Sequence, residues 1–187
     1  EIMVDQLQRL GKIENPPVAP IVPSPNPWNY RNTVQFHLGK NSELGYIHTD
    51  GEHLLPIREC HLPEPAINDL WPQLDLDPES ELYRLGIRQD TYEELMLILE
   101  GEGRTPPDFS VDIPVSAVYT PPDADLTVMA GDDHLTYTVL DKNFQVSARS
   151  FFQVNIPIAE KIVQYLLDPL QLDKDIRAIE LYAGAGL

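Results

Sequence analysis

The stretch that most limits what this chain can fold into is its last, from Phe151 to Leu187. It opens Phe151-Phe152-Gln153-Val154-Asn155, continues as an amphipathic run to Asp168, and closes Ile176-Arg177-Ala178-Ile179-Glu180-Leu181-Tyr182-Ala183-Gly184-Ala185-Gly186-Leu187. In the middle part Ala159, Ile162, Val163, Leu166 and Leu167 recur at three-and-four spacing, which predicts a helix with one apolar face. Asn155 suits the N-cap of that helix, and Pro157 stands in its first turn, where a missing N–H costs nothing. The closing part predicts a short apolar strand, acidic at Glu180, that opens into a Gly-x-Gly turn. The first strand of a doubly wound sheet reaches its ligand-holding loop in this way, with a helix to follow. Read alone, the pattern fits a tight turn after a buried strand equally well.

The charge balance opposes one class of partner. Lys and Arg total 13 against 30 Asp and Glu, a formal net charge of -17. Nucleic-acid binding draws on basic residues that neutralise phosphates. The chain as a whole is therefore expected to repel RNA, unless its few cations cluster locally or the phosphate contacts lie mainly in segments outside this sequence. The 187 residues suffice for one or two domains. No run approaches the ~18 apolar residues of a membrane helix, so no membrane partner is expected, and the N-terminus lacks a signal-peptide pattern. Cys60 is the single cysteine, which excludes an internal disulfide framework and fits a cytoplasmic protein.

Along the chain, Met3, Leu7 and Leu10 share a helical face, and Gly11 suits the stop. Pro16, Pro17, Pro20, Pro23, Pro25 and Pro27 then predict an extended connector. Val34, Phe36 and Leu38 alternate with polar residues as a half-buried strand. Two more strands, Leu44 to Thr49 and His53 to Ile57, meet at the tight-turn pair Asp50-Gly51 and complete an antiparallel meander. Ala66, Ile67, Leu70 and Trp71 predict a short helix ended by Pro72. Leu82 to Ile87 and Tyr92 to Leu99 read as a hairpin around Arg88 to Thr91, although Glu93, Glu94, Leu95 and Met96 also suit a helix. After a loop over 101–114, further strands are expected at Val115 to Tyr119, Leu126 to Met129, Leu135 to Leu140 and Phe144 to Ala148. The expected fold is α+β. An N-terminal helix and Pro-rich connector occupy 1–27, and a central antiparallel-sheet domain occupies 28–148. Over 149–187 lie the first helix and strand of a truncated Rossmann-like domain. A first strand and helix without sheet partners cannot bury both apolar faces. The tail from residue 156 is thus expected to be poorly ordered, packed in a non-native way, or paired with a second copy of the chain.

The Phe151-x-Gln153-x-Asn155 element, a helix of a few turns, and a strand ending Glu180-Leu181-Tyr182-Ala183-Gly184-Ala185-Gly186 together resemble the RNA (uracil-5-)-methyltransferases. The resemblance extends to Tyr30-Arg31-Asn32 at a strand entry, to Gly45-Tyr46 on the next strand, and to Cys60 after the third. It implies an S-adenosylmethionine-dependent enzyme that methylates C5 of a uridine in transfer or ribosomal RNA. It implies that Gln153 hydrogen-bonds the methyl donor, and that Tyr182, Gly184, Gly186 and Leu187 form the donor loop. Ala183 departs from the Cys found in many members. The same resemblance puts Phe151 beside the target base and Arg31 on RNA phosphate. In one branch of the family, a Cys placed like Cys60 is the fourth ligand of a [4Fe-4S] cluster. Four thiolates are usually needed to hold such a cluster, and this chain supplies one, so it is expected to be cluster-free.

The family's chemistry uses a Cys thiolate that adds to uracil C6 and a Glu base that removes the C5 proton. Nothing in this sequence matches either residue. The expectation is an internal fragment, inactive alone, of such an enzyme. Each assignment has a plainer reading. Gln153 bridges backbone at a domain junction, Phe151 packs in a core, Arg31 is solvated, and Cys60 is a small buried hydrophobe or a nucleophile without a partner pattern. Phe152 is expected in the core. The alternative for the whole chain is an acidic non-catalytic interaction module; a narrower one is a methyltransferase with another substrate.

Overall fold

The computed structural model describes residues 1–108, 110–170, 175, 177 and 179–187. Helix α1 (Ile2–Arg9) comes first. Strands β1 (Thr33–Leu38), β2 (Leu44–Ile47) and β3 (Leu54–Pro56) follow as an antiparallel meander. Helix α2 (Pro65–Leu70) runs straight into a 3₁₀ turn at Trp71–Gln73. The α-helix thus ends just before Pro72, as expected, and the proline sits in the first turn of the 3₁₀ segment, where its lost N–H costs nothing. Next come β4 (Leu82–Gln89), β5 (Leu95–Gly101), β6 (Ser116–Thr120) and β7 (Thr127–Ala130). A hairpin of β8 (His134–Val139) and β9 (Lys142–Ser147) precedes α3 (Ile156–Leu167).

β1 to β7 form one sheet in the order β3-β2-β1-β4-β5-β6-β7. Its pairings are antiparallel except β5 with β6, which are parallel because the chain crosses over between them. The fold is therefore α+β with a mostly antiparallel sheet. β5 takes the strand form although its first residues also suit a helix. Its register against β4, from Leu82↔Gly101 to Gln89↔Leu95, outweighs local preference. At the turn between them the Asp90 carboxylate accepts from the N–H groups of Tyr92 (2.8 Å) and Glu94 (3.0 Å).

Both faces of the sheet are covered. On one face Val34, Phe36, Leu85, Ile87, Leu97 and Leu99 pack with Ile67, Leu70 and Trp71 of the α2 region. On the other, Met96, Ile98 and Val118 pack with Leu135, Tyr137, Val139 and Val146 of the hairpin, and with Ala148 and Phe152. β5 and β6 serve both clusters, which is why β5 reads as a near-continuous apolar run. A Cβ on Gly45 would collide with the Leu55 carbonyl, so only glycine lets β2 and β3 approach there.

Apolar faces read from the sequence at both ends of the chain are largely uncovered among the described residues. The α1 face expected from Met3, Leu7 and Leu10 finds no cover: Met3 and Leu10 are exposed, and no residue of the helix is buried. On α3 only Ala159 of the predicted face is buried, while Ile162, Leu166 and Leu167 stay exposed. Of the predicted closing strand, Ile176 and Ala178 lie outside the described residues. Ile179 to Tyr182 form no strand, and Ile179, Leu181 and Tyr182 are exposed. A strand needs a neighbour to take its backbone groups, and none is offered to these four among the described residues. No described helix is long and apolar enough to cross a membrane.

Candidate functional site

The segment before β1 is held by the segment after Cys60. The N–H groups of Tyr30 and Arg31 both donate to Leu62 O, at 3.0 and 2.9 Å, and Glu64 N–H donates to Arg31 O at 2.8 Å. Asn32 then ties this pair to a third segment. Its N–H donates to Val154 O (3.0 Å) and its side-chain amide to Gln153 O (3.1 Å). Its own C=O accepts from Gln89 N–H (2.9 Å), and its Oδ1 accepts from the Thr33 hydroxyl (3.0 Å). A buried amide satisfied on every side acts as a rigid joint. Phe152 anchors the third segment by stacking on Tyr137, with ring centroids 4.7 Å apart.

Between these segments lies a groove of about 370 Å³, with Arg31, Tyr46, Cys60, Arg88 and Phe151 on its walls and Leu62, Phe152 and Val154 among its apolar lining. Arg31, Phe151 and Cys60, singled out separately in the sequence, thus meet in one place. Phe151 is 71% exposed, so it is not core, whereas Phe152 is buried as expected. The Tyr46 hydroxyl lies 3.9 Å from Cys60 Sγ. Burial first, and then the neighbouring thiol, push the Tyr46 phenol up to about 12. Burial holds the Arg88 guanidinium below its ordinary pKa, and its Nη1 donates to Ser147 O at 3.1 Å. Neither Arg31 nor Arg88 forms an ion pair among the described residues. In a chain of net charge -17, this groove is a local inversion of sign. The larger cavity, about 440 Å³ beside α2, is lined by Asp75, Asp77, Asp108 and Asp112 and has the wrong sign for a polyanion.

Gln153 borders the groove without lining it. Its backbone does what the plainer reading expects, bridging to Asn32. Its side-chain amide makes no hydrogen bond among the described residues. The expected donor loop stands apart from the groove walls. Gly184 and Gly186 have φ of 60° and 80°, and Gly186 N–H closes a turn on Ala183 O at 2.8 Å. A Cβ on Gly186 would meet nothing within 4 Å, so the backbone there is open to a ligand. Ala185 and Leu187 pack on the cluster that contains Phe152. Leu187 is half-buried there, and Tyr182 is fully exposed. No group of three or more His, Cys, Asp or Glu that could hold a metal ion occurs among the described residues, so Cys60 does not fit a cluster site here.

Sequence reasoning missed Arg88, which was taken as part of a turn. A single cation after the run Leu85-Gly86-Ile87 reads as a solvated side chain, so no local signal marks it. It also missed Asn32 as the joint.

No protein-family model matches the chain. Over its whole length it is 27% identical to a protein of Thermosynechococcus vestitus named as an uncharacterised RNA methyltransferase, covering 49% of that protein. It is 28% identical, again over its whole length, to one so named from Aquifex aeolicus, covering 46% of it. One from Enterococcus faecalis is 26% identical over 96% of the chain and 47% of the relative. The chain spans about half the length of the curated relatives it matches. Among solved structures, it resembles the Pyrococcus abyssi tRNA (uracil-54, C5)-methyltransferase in complex with S-adenosyl-L-homocysteine, with a TM-score of 0.61 and 18% identity over 82% of this chain and 44% of that one.

Proposed function

We propose, on the premise that this chain is a relative of the RNA methyltransferases, that it forms the RNA-facing groove and part of the donor site of an enzyme that methylates C5 of a uridine in RNA. The observation that carries the reading is the groove itself, where Arg31 and Phe151 meet beside the segment that bears Gln153. A flipped-out base loses its stacking and needs a flat apolar surface in exchange; exposed Phe151 offers one. Arg31, exposed at the groove, meets phosphate. In this reading residues 28–148 present the RNA surface and residues 149–187 open the donor-binding part.

S-adenosylmethionine, when bound, supplies the methyl group. Gln153 would hold it through an amide that both donates and accepts. The open backbone at Gly184 and Gly186 admits it closely, and Tyr182 and Leu187 would border it from the same loop. The reaction also needs a thiolate at uracil C6 and a base for the C5 proton. The reading assigns neither to this chain, so the 187 residues alone are expected not to methylate RNA. A cytoplasmic setting, which keeps Cys60 reduced, is part of the reading.

The test is a calorimetric titration of the protein with S-adenosylhomocysteine. Binding that weakens about tenfold on Gln153→Ala, the worth of one good hydrogen bond, supports the reading. Binding indifferent to Gln153, or none, favours the alternative of an acidic non-catalytic interaction module, for which the net charge of -17 speaks.

A further inference from the structure

Arg88 has more hydrogen-bonding capacity than the protein uses. A guanidinium carries five donors in a rigid fork. One bond, from Nη1 to Ser147 O, is its only hydrogen bond among the described residues. No carboxylate pairs with it there, yet its head is half-buried. A buried cation without a counter-charge is costly, and packing against β9 does not require a charge. The register sets Arg88 opposite Thr33 at the β1–β4 pairing, and both line the groove with Arg31. One guanidinium is exposed and the other set deeper, around a cavity of about 370 Å³, the small end of the ligand-site range.

We propose that Arg88 is the inner phosphate-holding residue of the groove. It grips the phosphate of the nucleotide whose base lies on Phe151, while Arg31 meets a neighbouring phosphate at the mouth. Phosphate accepts a guanidinium fork through two parallel hydrogen bonds and brings the missing negative charge. The inference rests on the RNA reading given above and deepens it.

The experiment measures binding of a fluorescently labelled, uridine-containing single-stranded RNA by anisotropy across a KCl series. Arg88→Gln is expected to lower the slope of log affinity against log salt by about 0.7, the share of one phosphate on a single strand. Affinity should fall about tenfold, with the urea-unfolding midpoint kept. A folded Arg88→Gln protein with unchanged slope and affinity overturns the inference. If that variant does not fold, the unaltered protein decides. Its Arg88 Nε–H resonance should shift with this RNA and not with a methylphosphonate strand; a resonance that stays put with RNA overturns the inference. Arg31→Gln and Phe151→Ala separate the two levels. If both weaken binding and Arg88→Gln does not, the role of Arg88 fails and the RNA reading stands. If none of the three matters, or the unaltered protein binds no RNA, both fail.

Discussion

Phe151 and Phe152 are neighbours in sequence and opposites in environment. Phe152 is buried against Tyr137 and Phe144. Its replacement by Ala should cost about 3–5 kcal/mol of stability, the range for a large core aromatic. Phe151→Ala should leave stability within about 0.5 kcal/mol, as exposed positions do. If Phe151 stacks on a base, the same change should cost about 1–3 kcal/mol of RNA binding. Urea unfolding and RNA titration of the two variants check this crossed pattern. Tyr137 gives a pH test. Burial raises its phenol to about 12 against the opposing pull of Arg88 and Thr33, and its buried hydroxyl makes no hydrogen bond of ordinary geometry among the described residues. A group that holds its proton more tightly when folded stabilises the fold below its unfolded pKa, near 10. That contribution is lost as pH climbs from there to about 12. Tyr137→Phe should therefore move alkaline unfolding to higher pH. At neutral pH it should leave stability unchanged or raised, since an orphaned buried hydroxyl has gone. Unfolding followed by circular dichroism across the alkaline range reads both.

Among the described residues α3 is held through its first two turns, where Ile156 and Val163 pack on the core, Ala159 is buried and Lys161 Nζ donates to Pro23 O at 3.2 Å. The Asn155 carbonyl oxygen of the side chain accepts from Ile158 N–H at 3.2 Å, as the cap pattern predicts, and Glu160 Oε1 accepts from Leu140 N–H at 3.1 Å. Asn155→Ala should cost about 1 kcal/mol, the usual worth of a cap. Leu166→Glu, on the exposed far end, should stay within about 0.5 kcal/mol of the parent. Chemical unfolding that shows the reverse order would place the packed end wrongly. The strands were largely legible because alternation is local: Val34 and Phe36 go inward while Gln35 stays out. The parallel β5–β6 pairing was not legible, because a polar loop over 101–114 looks the same whether the chain turns back or crosses over. The closing strand failed for the same kind of reason. Apolar Ile179 and Leu181 state a propensity, but a strand is a property of two chains side by side. The site divides similarly. Arg31, Phe151 and Cys60 carry recognisable neighbours in sequence. Their meeting depends on Asn32 reaching Gln153 across 121 positions, which no local pattern encodes. Arg88 stayed hidden because a charge on a strand ordinarily means a solvated side chain.

At the scale of the molecule, the unresolved tension of the sequence was a net charge of -17 in a chain that resembles RNA enzymes. The fold answers it by position. Arg31 and Arg88, without ion pairs among the described residues, flank one groove, while Asp75, Asp77, Asp108 and Asp112 gather at the other cavity. On the proposed function RNA would approach through this groove, and its binding should weaken with salt. The measurement that tests this account most directly is photocrosslinking of the protein to a single-stranded RNA carrying one 4-thiouridine, followed by mass-spectrometric mapping of the joined peptide. The account predicts crosslinks in the peptides that contain Phe151, Tyr46 or Cys60. Crosslinks confined to residues 74–77 or 110–113 at the acidic cavity, or to the β7 edge, would contradict it.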